Sequence, residues 1–192
     1  MKRLIIATSN PGKVIEIRSG LGELPGWSLE PLPAGIPAIE ETGETFLTNA
    51  IQKAEYYSRR QDELTLADDS GLRVAAMGGR PGVQSARYAE TPAARIVKIL
   101  TEMKSVPDGQ RGATFYCALA LARSGAIIWT IEGRVSGVIG RERAGAGGFG
   151  YDPVFLLPEL NRTMAELPTE DKDRLSARGK ALAGLRKFLL SN

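Results

Sequence analysis

The chain has 192 residues, and its 25 Lys and Arg residues against 22 Asp and Glu residues give a formal net charge of +3. No apolar run approaches the roughly 18 residues that a membrane span requires, and so small an excess of positive charge does not demand a nucleic-acid partner. The chain contains no histidine and one cysteine, which excludes Ser-His and Cys-His nucleophiles, histidine-ligated zinc and an intrachain disulfide.

Strands and helices alternate in the first part of the sequence. The patterns predict strands over residues 2–8, 27–32, 64–67 and 72–75, and helices that begin near residues 10, 45 and 91. The strand over 64–67 should end in the turn-forming sequence Asp68-Asp69-Ser70-Gly71. Later, residues 113–123 and 126–137 predict a hairpin around Ser124-Gly125, followed by a strand over 153–157 and a helix over about 170–190.

This order predicts an α/β protein with a mixed sheet instead of a purely parallel, doubly wound one. No segment reads as a linker, so we expect a single domain over residues 1–192, in which two lobes would share the sheet. No signal peptide is recognisable, and the expected compartment is the cytoplasm.

Without histidine, any catalysis must use carboxylates, Lys, Arg, hydroxyls and backbone amides. Oxygen-rich sites of this kind favour Mg²⁺ or Mn²⁺, the usual partners of phosphate substrates. Cys117 lies in an apolar run, which favours a buried structural thiol over a nucleophile.

The first candidate site is the junction of the first strand and helix, residues 8–13, with the sequence TSNPGK. Asn10 as N-cap and Pro11 at the first helical position predict a helix start, whose unpaired N–H groups suit a phosphate. Gly12 permits close approach and Lys13 adds charge, although the spacing is not that of a Walker A motif. A capped helix with an exposed lysine is the alternative.

The second candidate site joins a pair of acids to a helix face. Glu40 and Glu41 precede the second helix, on which Thr45, Asn49 and Lys53 recur at spacings of four. The acids could bind a cation or favour the helix dipole, and the polar stripe could equally be a solvated face.

The third candidate site is the pair Asp68-Asp69 after an apolar strand. The carboxyl ends of strands are where α/β folds bind ligands, and adjacent acids point in different directions. One could hold a metal ion while the other positions or deprotonates water, whereas an Asp-rich turn is the alternative.

Two further segments could recognise a base. Residues 147–153 place glycines around two aromatic side chains, which could form a slot for a purine ring or a plain loop. Lys172 and Arg178, at the start of the last helix, could reach phosphate or base, or could simply be solvated.

Together these motifs resemble the inosine/xanthosine triphosphate pyrophosphatases, which remove damaged purine nucleotides. The resemblance spans residues 7–181. Five motifs carry it in order: Ser9-Asn10 with Lys13; Glu40-Glu41-Thr42-Gly43 with Thr45-Phe46 and Asn49-Ala50; Ala67-Asp68-Asp69-Ser70-Gly71-Leu72; Pro81-Gly82-Val83 with Ser85-Ala86-Arg87-Tyr88; and Gly147-Gly148-Phe149-Gly150-Tyr151-Asp152-Pro153.

The resemblance implies an elongated α/β fold with a central mixed sheet flanked by helices, a nucleotide cleft between two lobes, and a homodimer. It implies that Asp69, Lys13 and Lys53 are catalytic and that Glu41 and Asp69, supported by Glu40 and Asp68, organise Mg²⁺, with Mn²⁺ as a substitute. The implied substrate contacts are Thr8, Ser9, Asn10, Lys13, Ser70, Phe149, Gly150, Tyr151, Asp152, Lys172, Ala177 and Arg178.

One position departs from the family pattern. The family usually has Ser-His-Arg where this chain has Ser176-Ala177-Arg178. The missing imidazole is a base-contacting group, so we expect intact phosphate chemistry with weakened or altered purine preference.

The resemblance also implies the reaction, in which water attacks the α-phosphorus of a triphosphate and pyrophosphate leaves. Two other classes remain open. A nucleotide sensor could keep the glycines and lysines but has little need for both acid pairs. An RNA-binding module could use the basic residues, but these are scattered and no RNA-recognition signature is present.

Overall fold

The computed structural model describes residues 1–191. Its strands are β1 (Lys2–Ile6), β2 (Trp27–Pro31), β3 (Leu64–Val74), β4 (Gly112–Arg123), β5 (Ala126–Ile139), β6 (Phe155–Leu157) and β7 (Arg162–Thr163). They form one seven-stranded sheet in the order β2-β1-β3-β4-β5-β6-β7. β1 pairs in parallel with β2 and β3, and the remaining pairs are antiparallel. The prediction of a mixed α/β sheet is confirmed.

Over residues 1–191, five α-helices accompany the sheet: α1 (Pro11–Leu21), α2 (Phe46–Ser58), α3 (Pro92–Glu102), α4 (Thr169–Leu175) and α5 (Ala177–Ser191). None of the helices in the described part of the chain is long and apolar enough to cross a membrane. The predicted single C-terminal helix is wrong, because Ser176 has extended backbone angles and separates α4 from α5. The Ser176 hydroxyl accepts a hydrogen bond from Gly179 N at 3.0 Å, so this residue acts as the N-cap of α5.

Strand β3 does not end at Asp68, as the turn-forming residues predicted. It continues to Val74 and pairs with β4 throughout, with Asp68 opposite Leu119 and Asp69 opposite Ala118. Tertiary pairing with a long neighbouring strand outweighs the local turn preference of Asp, Ser and Gly. Because side chains alternate along a strand, the two acids point to opposite faces of the sheet.

The hydrophobic core divides between those two faces. One cluster contains Leu66 and Leu72 of β3 together with residues of α1 and α5. The other contains Ala67 of β3, Ala118 of β4 and the inner face of α2. The small alanines on this second face allow α2 to lie close to the strands. The acids of β3 therefore each face a different helical layer.

Candidate active site

A cleft of about 480 Å³ lies where β1 ends beside β3. This volume is within the range of pockets that hold small ligands. It is lined by almost every side chain that the sequence singled out: Thr8, Ser9, Asn10, Lys13, Glu41, Lys53, Asp69, Ser70, Phe149, Gly150, Tyr151, Asp152, Lys172, Ala177 and Arg178. Of the predicted site residues, Glu40 and Asp68 are not part of the lining of this cleft within residues 1–191.

The start of α1 forms as the sequence predicted. The Asn10 side chain accepts hydrogen bonds from Gly12 N at 3.0 Å and Lys13 N at 3.3 Å, and Pro11 is the first helical residue. The cap therefore already uses two of the N–H groups that a phosphate could take. The alternative of an exposed lysine is wrong, because Lys13 Nζ lies 2.9 Å from Asp68 Oδ2 and its side chain is 14% exposed.

Asp68 is fully buried on the α1 and α5 side of the sheet. Its Oδ2 atom contacts Lys13 Nζ at 2.9 Å and Arg178 Nη2 at 3.1 Å. Burial alone would raise the pKa of Asp68, but the positive charges of Lys13, Arg178 and Lys53 outweigh it and hold this pKa well below its usual range. At neutral pH, Asp68 is thus an ionised partner for Lys13 and Arg178, which line the cleft.

Asp69 lies on the α2 side, in a different electrostatic environment. Its Oδ2 atom accepts a hydrogen bond from Asn49 Nδ2 at 3.0 Å, and Lys53 Nζ lies 3.7 Å from its Oδ1 atom. Burial raises the pKa of Asp69 by more than Lys53 and Asn49 lower it. A carboxylate with a raised pKa that lines a cleft is suited to accept a proton from water.

Lys53 joins this acid to the loop before α2. Its ammonium group lies 2.7 Å from Glu41 Oε1, and Arg87 Nη1 lies 3.6 Å from Glu41 Oε2. The alternative of a solvated helix face is wrong, since Asn49 is 0% and Lys53 8% exposed. Burial alone would lower the pKa of Lys53, but the surrounding carboxylates outweigh it and raise this pKa, so the lysine stays charged.

Glu41 and Asp69 fit a divalent cation, because both carboxylates reach the same ammonium group. Mg²⁺ keeps several waters and is commonly bound by one or two carboxylates together with substrate phosphates. In the part of the chain that the structure describes, no group of three acidic, His or Cys side chains is placed to hold a metal ion. The fold therefore offers a site of two protein carboxylates, Glu41 and Asp69. The predicted supporting acids lie elsewhere, because Glu40 is exposed and Asp68 faces the opposite side of the sheet.

Residues 148–152 form a tight turn that carries Phe149 into the lining of the cleft. Gly148 has a φ of +70°, and a Cβ atom there would lie 2.1 Å from Asp152 Oδ2. That carboxylate accepts hydrogen bonds from Phe149 N at 2.9 Å and from Lys172 Nζ at 2.7 Å. Lys172 Nζ also lies 5.3 Å from the centre of the Phe149 ring. The pair of Asp152 and Lys172 therefore contacts both the backbone and the ring of Phe149.

Sequence reasoning missed Glu16, which also lines the cleft. Its carboxylate pairs with Lys172, at 2.5 Å from Nζ, and with Arg178. Both basic residues are less than a tenth exposed, so the alternative that they are solvated is wrong. Glu16 follows Lys13 by one helical turn, and that spacing was the signal that could have identified it.

Cys117 is buried, as predicted, and burial raises the pKa of its thiol to about 12. At pH 8 the thiolate fraction should be roughly 1000-fold smaller than for an ordinary cysteine. We expect no measurable modification of the native protein by a thiol-specific reagent at pH 8 and complete modification in denaturant. Rapid native labelling would show that the thiol is accessible.

Comparison with known proteins agrees with this architecture. The model of the Ham1 family matches residues 4–188. The chain is 46% identical to a dITP/XTP pyrophosphatase from Bacillus subtilis, covering 98% of each chain, and 48% identical to one from Geobacillus kaustophilus, covering 96% of this chain and 93% of the relative. A Ham1 protein from Coxiella burnetii superposes with a TM-score of 0.90 at 39% identity over 100% of both chains. With a match over nearly its whole length, the chain belongs to the Ham1 family.

Proposed function

We propose that the protein hydrolyses aberrant purine nucleoside triphosphates (ITP, dITP and XTP) to the monophosphate and pyrophosphate. This reaction would remove them from the nucleotide pool before they enter DNA or RNA. The observation that carries the proposal is one cleft whose lining brings the Asp69 carboxylate together with Lys13, Lys53 and Arg178 and with the Phe149 ring. The relatives named dITP/XTP pyrophosphatase support the same reaction.

Asp69 is the proposed general base. Its carboxylate is held from one side by Asn49 and lies within reach of the Lys53 ammonium group. It would orient and deprotonate the water that attacks the α-phosphorus, a role that contributes about 10²- to 10⁴-fold in rate. Ser70, the next residue on β3, would contact the substrate from the opposite face of the strand.

Lys13 and Lys53 would hold the charge of the pyrophosphate leaving group. Each ammonium group has three donors and makes a carboxylate contact below 3 Å, which fixes its position before the substrate arrives. Mg²⁺, or Mn²⁺ in its place, would be held by Glu41 and Asp69 and would supply screening of the triphosphate and stabilisation of the charge that develops in the transition state.

Base preference would depend on the slot formed by residues 149–152 with Lys172, Ala177 and Arg178. Ala177 is the first residue of α5 and lines the cleft, so a longer side chain there would point towards the base. A hydrogen-bond donor that pairs with the 6-oxo group of a base faces another donor, the 6-amino group, when adenine is bound, and both donors are then left unpaired. The alanine therefore removes one contact that would discriminate between these bases.

We expect Ala177→His to raise kcat/KM on inosine triphosphate by roughly 5- to 150-fold, because one hydrogen bond contributes about 1–3 kcal/mol. The measurement is steady-state kinetics on inosine and adenosine triphosphates. Ala177→Phe supplies a ring without a donor and should give no such gain. An unchanged rate for Ala177→His would contradict this assignment.

We also propose that residues 1–192 form a single domain, since no segment reads as a linker, and that the protein works in the cytoplasm, as expected where no signal peptide is recognisable. We further propose a homodimer, as the resemblance to the inosine/xanthosine triphosphate pyrophosphatases implies. The pairing of β3 with β4 over ten consecutive residues, which joins the two halves of the chain, supports one domain. A mass near twice 20.6 kDa by light scattering would support the dimer, and a mass of one chain would exclude it.

The reaction is tested by incubating the protein with inosine, xanthosine, guanosine and adenosine triphosphates, with Mg²⁺ or with EDTA. We expect Mg²⁺-dependent release of pyrophosphate that favours the inosine and xanthosine forms. Equal cleavage of all four would retain the chemistry and identify Ala177 as the lost discriminator. Release of orthophosphate, or no turnover, would contradict the proposal.

A further inference from the structure

Asn49 is a fully buried polar side chain that lies beside Asp69 and the loop that carries Glu41. It lies on α2 and is 0% exposed. Both ends of its amide are used: Nδ2 donates to Asp69 Oδ2 at 3.0 Å, and Oδ1 accepts from Gly43 N at 2.7 Å. One side chain therefore joins the central strand to the loop that precedes α2.

The bond to Asp69 determines which way that carboxylate faces. Lys53 is 3.7 Å from Asp69 Oδ1, too far for a strong hydrogen bond, and the other contact of this oxygen is the adjacent Ser70 N at 2.9 Å. Asn49 on α2 therefore supplies the hydrogen bond that fixes the Asp69 rotamer from outside β3.

The bond to Gly43 positions the loop that carries Glu41, two residues earlier. The loop approaches α2 so closely that a Cβ atom on Gly43 would lie 2.6 Å from Asn49 Oδ1 and 2.5 Å from Thr48 Oγ1. Only a glycine fits between the loop and the helix at this point. The position of Glu41 therefore depends on the same amide that holds Asp69.

We propose that Asn49 is a positioning residue that holds the Asp69 and Glu41 carboxylates at the separation needed to share one divalent cation. The inference rests on the proposed function, because it takes these two carboxylates as the metal-binding pair. Groups that orient metal ligands without touching the metal commonly change metal affinity or activity 10- to 100-fold when removed.

Gln52 provides a matched control on the same helix. Its amide also joins α2 to this loop, donating to Thr42 Oγ1 at 3.2 Å and accepting from Thr42 N at 3.4 Å. Within residues 1–191 the hydrogen bonds of Gln52 are with Thr42 alone, and none reaches Asp69. Loss of Gln52 removes a loop contact without releasing the catalytic strand.

The test compares wild type, Asn49→Ala, Asn49→Asp and Gln52→Ala. Asn49→Asp keeps an acceptor for Gly43 N but sets a second carboxylate against Asp69 in place of the donor, and Asn49→Ala removes both halves of the bridge without adding charge. Free Mn²⁺ is followed by electron paramagnetic resonance during titration of each protein with a non-hydrolysable inosine triphosphate analogue bound. Steady-state kinetics with inosine triphosphate and variable Mg²⁺ provides the second readout, and near-ultraviolet circular dichroism checks folding.

We expect both Asn49 variants to bind Mn²⁺ 10- to 100-fold more weakly and to require correspondingly more Mg²⁺, with KM for the nucleotide at saturating Mg²⁺ changed by less than about threefold. Gln52→Ala should match wild type. Wild-type metal affinity in Asn49→Asp, or an equal loss in Gln52→Ala, would overturn the proposal even if wild type is active. A wild type that needs no metal would instead refute the metal-binding pair in the proposed function and the inference with it.

Discussion

Asp69→Asn should lower kcat roughly 10²- to 10⁴-fold while KM and nucleotide affinity change by less than about threefold. The amide keeps the size of the carboxylate, and its single acceptor oxygen can keep the hydrogen bond from Asn49 while the contact with Ser70 N is lost. On the proposed mechanism, the variant loses the negative charge that would take a proton from water and help to hold Mg²⁺, so turnover and affinity are compared at saturating Mg²⁺. A nucleotide-binding protein without catalysis would show no such separation between turnover and affinity.

The measurement is single-turnover hydrolysis of inosine triphosphate together with calorimetric binding of a non-hydrolysable analogue. Asp62→Asn serves as the control, because Asp62 is exposed and belongs to the loop before β3. More than a tenth of wild-type turnover in Asp69→Asn would show that another group activates the water.

Asp68→Asn should act mainly on stability and should lower the free energy of unfolding. It removes the carboxylate that contacts both Lys13 and Arg178 and leaves the buried Arg178 and the partly buried Lys13 with less opposing charge. Breaking a buried pair typically costs about 3–5 kcal/mol, and the remaining contact of Arg178 with Glu16 favours the lower end. A loss of this size corresponds to a Tm lower by roughly 10 °C in a chain of this length.

The stability difference between wild type and Asp68→Asn should depend on pH. The pKa of Asp68 is lowered in the folded protein, so its contribution is fully present above the ordinary Asp pKa of about 4 and is lost as the pH falls towards the folded value. Urea unfolding should show a constant difference above about pH 5 that shrinks below pH 4. In contrast, Asp69→Asn should reduce stability by less, because burial disfavours the Asp69 charge and the amide loses only one of the two accepted hydrogen bonds. A larger stability loss in Asp69→Asn than in Asp68→Asn would contradict the assignment of the two acids to different environments.

Local sequence signals predicted the elements whose ends depend on local chemistry. Asn10 and Pro11 marked the start of α1, because capping and proline geometry act within one turn. Ser124 and Gly125 marked the hairpin of β4 and β5, where both residues have positive φ angles. These features require no information from elsewhere in the chain.

The errors arose where distant segments decide the outcome. The passage of β3 through Asp68 and Asp69 depends on pairing with β4, about 50 residues later in the chain. The burial of Asn49 and Lys53 depends on carboxylates from β3 and from the loop before α2, so helical periodicity alone could not separate a solvated face from a buried one. The pairing of Glu16 with Arg178 spans 162 residues. Candidate residues could therefore be named from the sequence, but their grouping into two environments required the fold.

The most direct test of the central claim is hydrolysis of inosine triphosphate in water enriched in ¹⁸O, with mass analysis of both products. Attack on the α-phosphorus, with Asp69 as the base, places the label in the inosine monophosphate and leaves the pyrophosphate unlabelled. Label in the pyrophosphate would mean that water attacks the β-phosphorus, and it would contradict the proposed arrangement of substrate and base in the cleft.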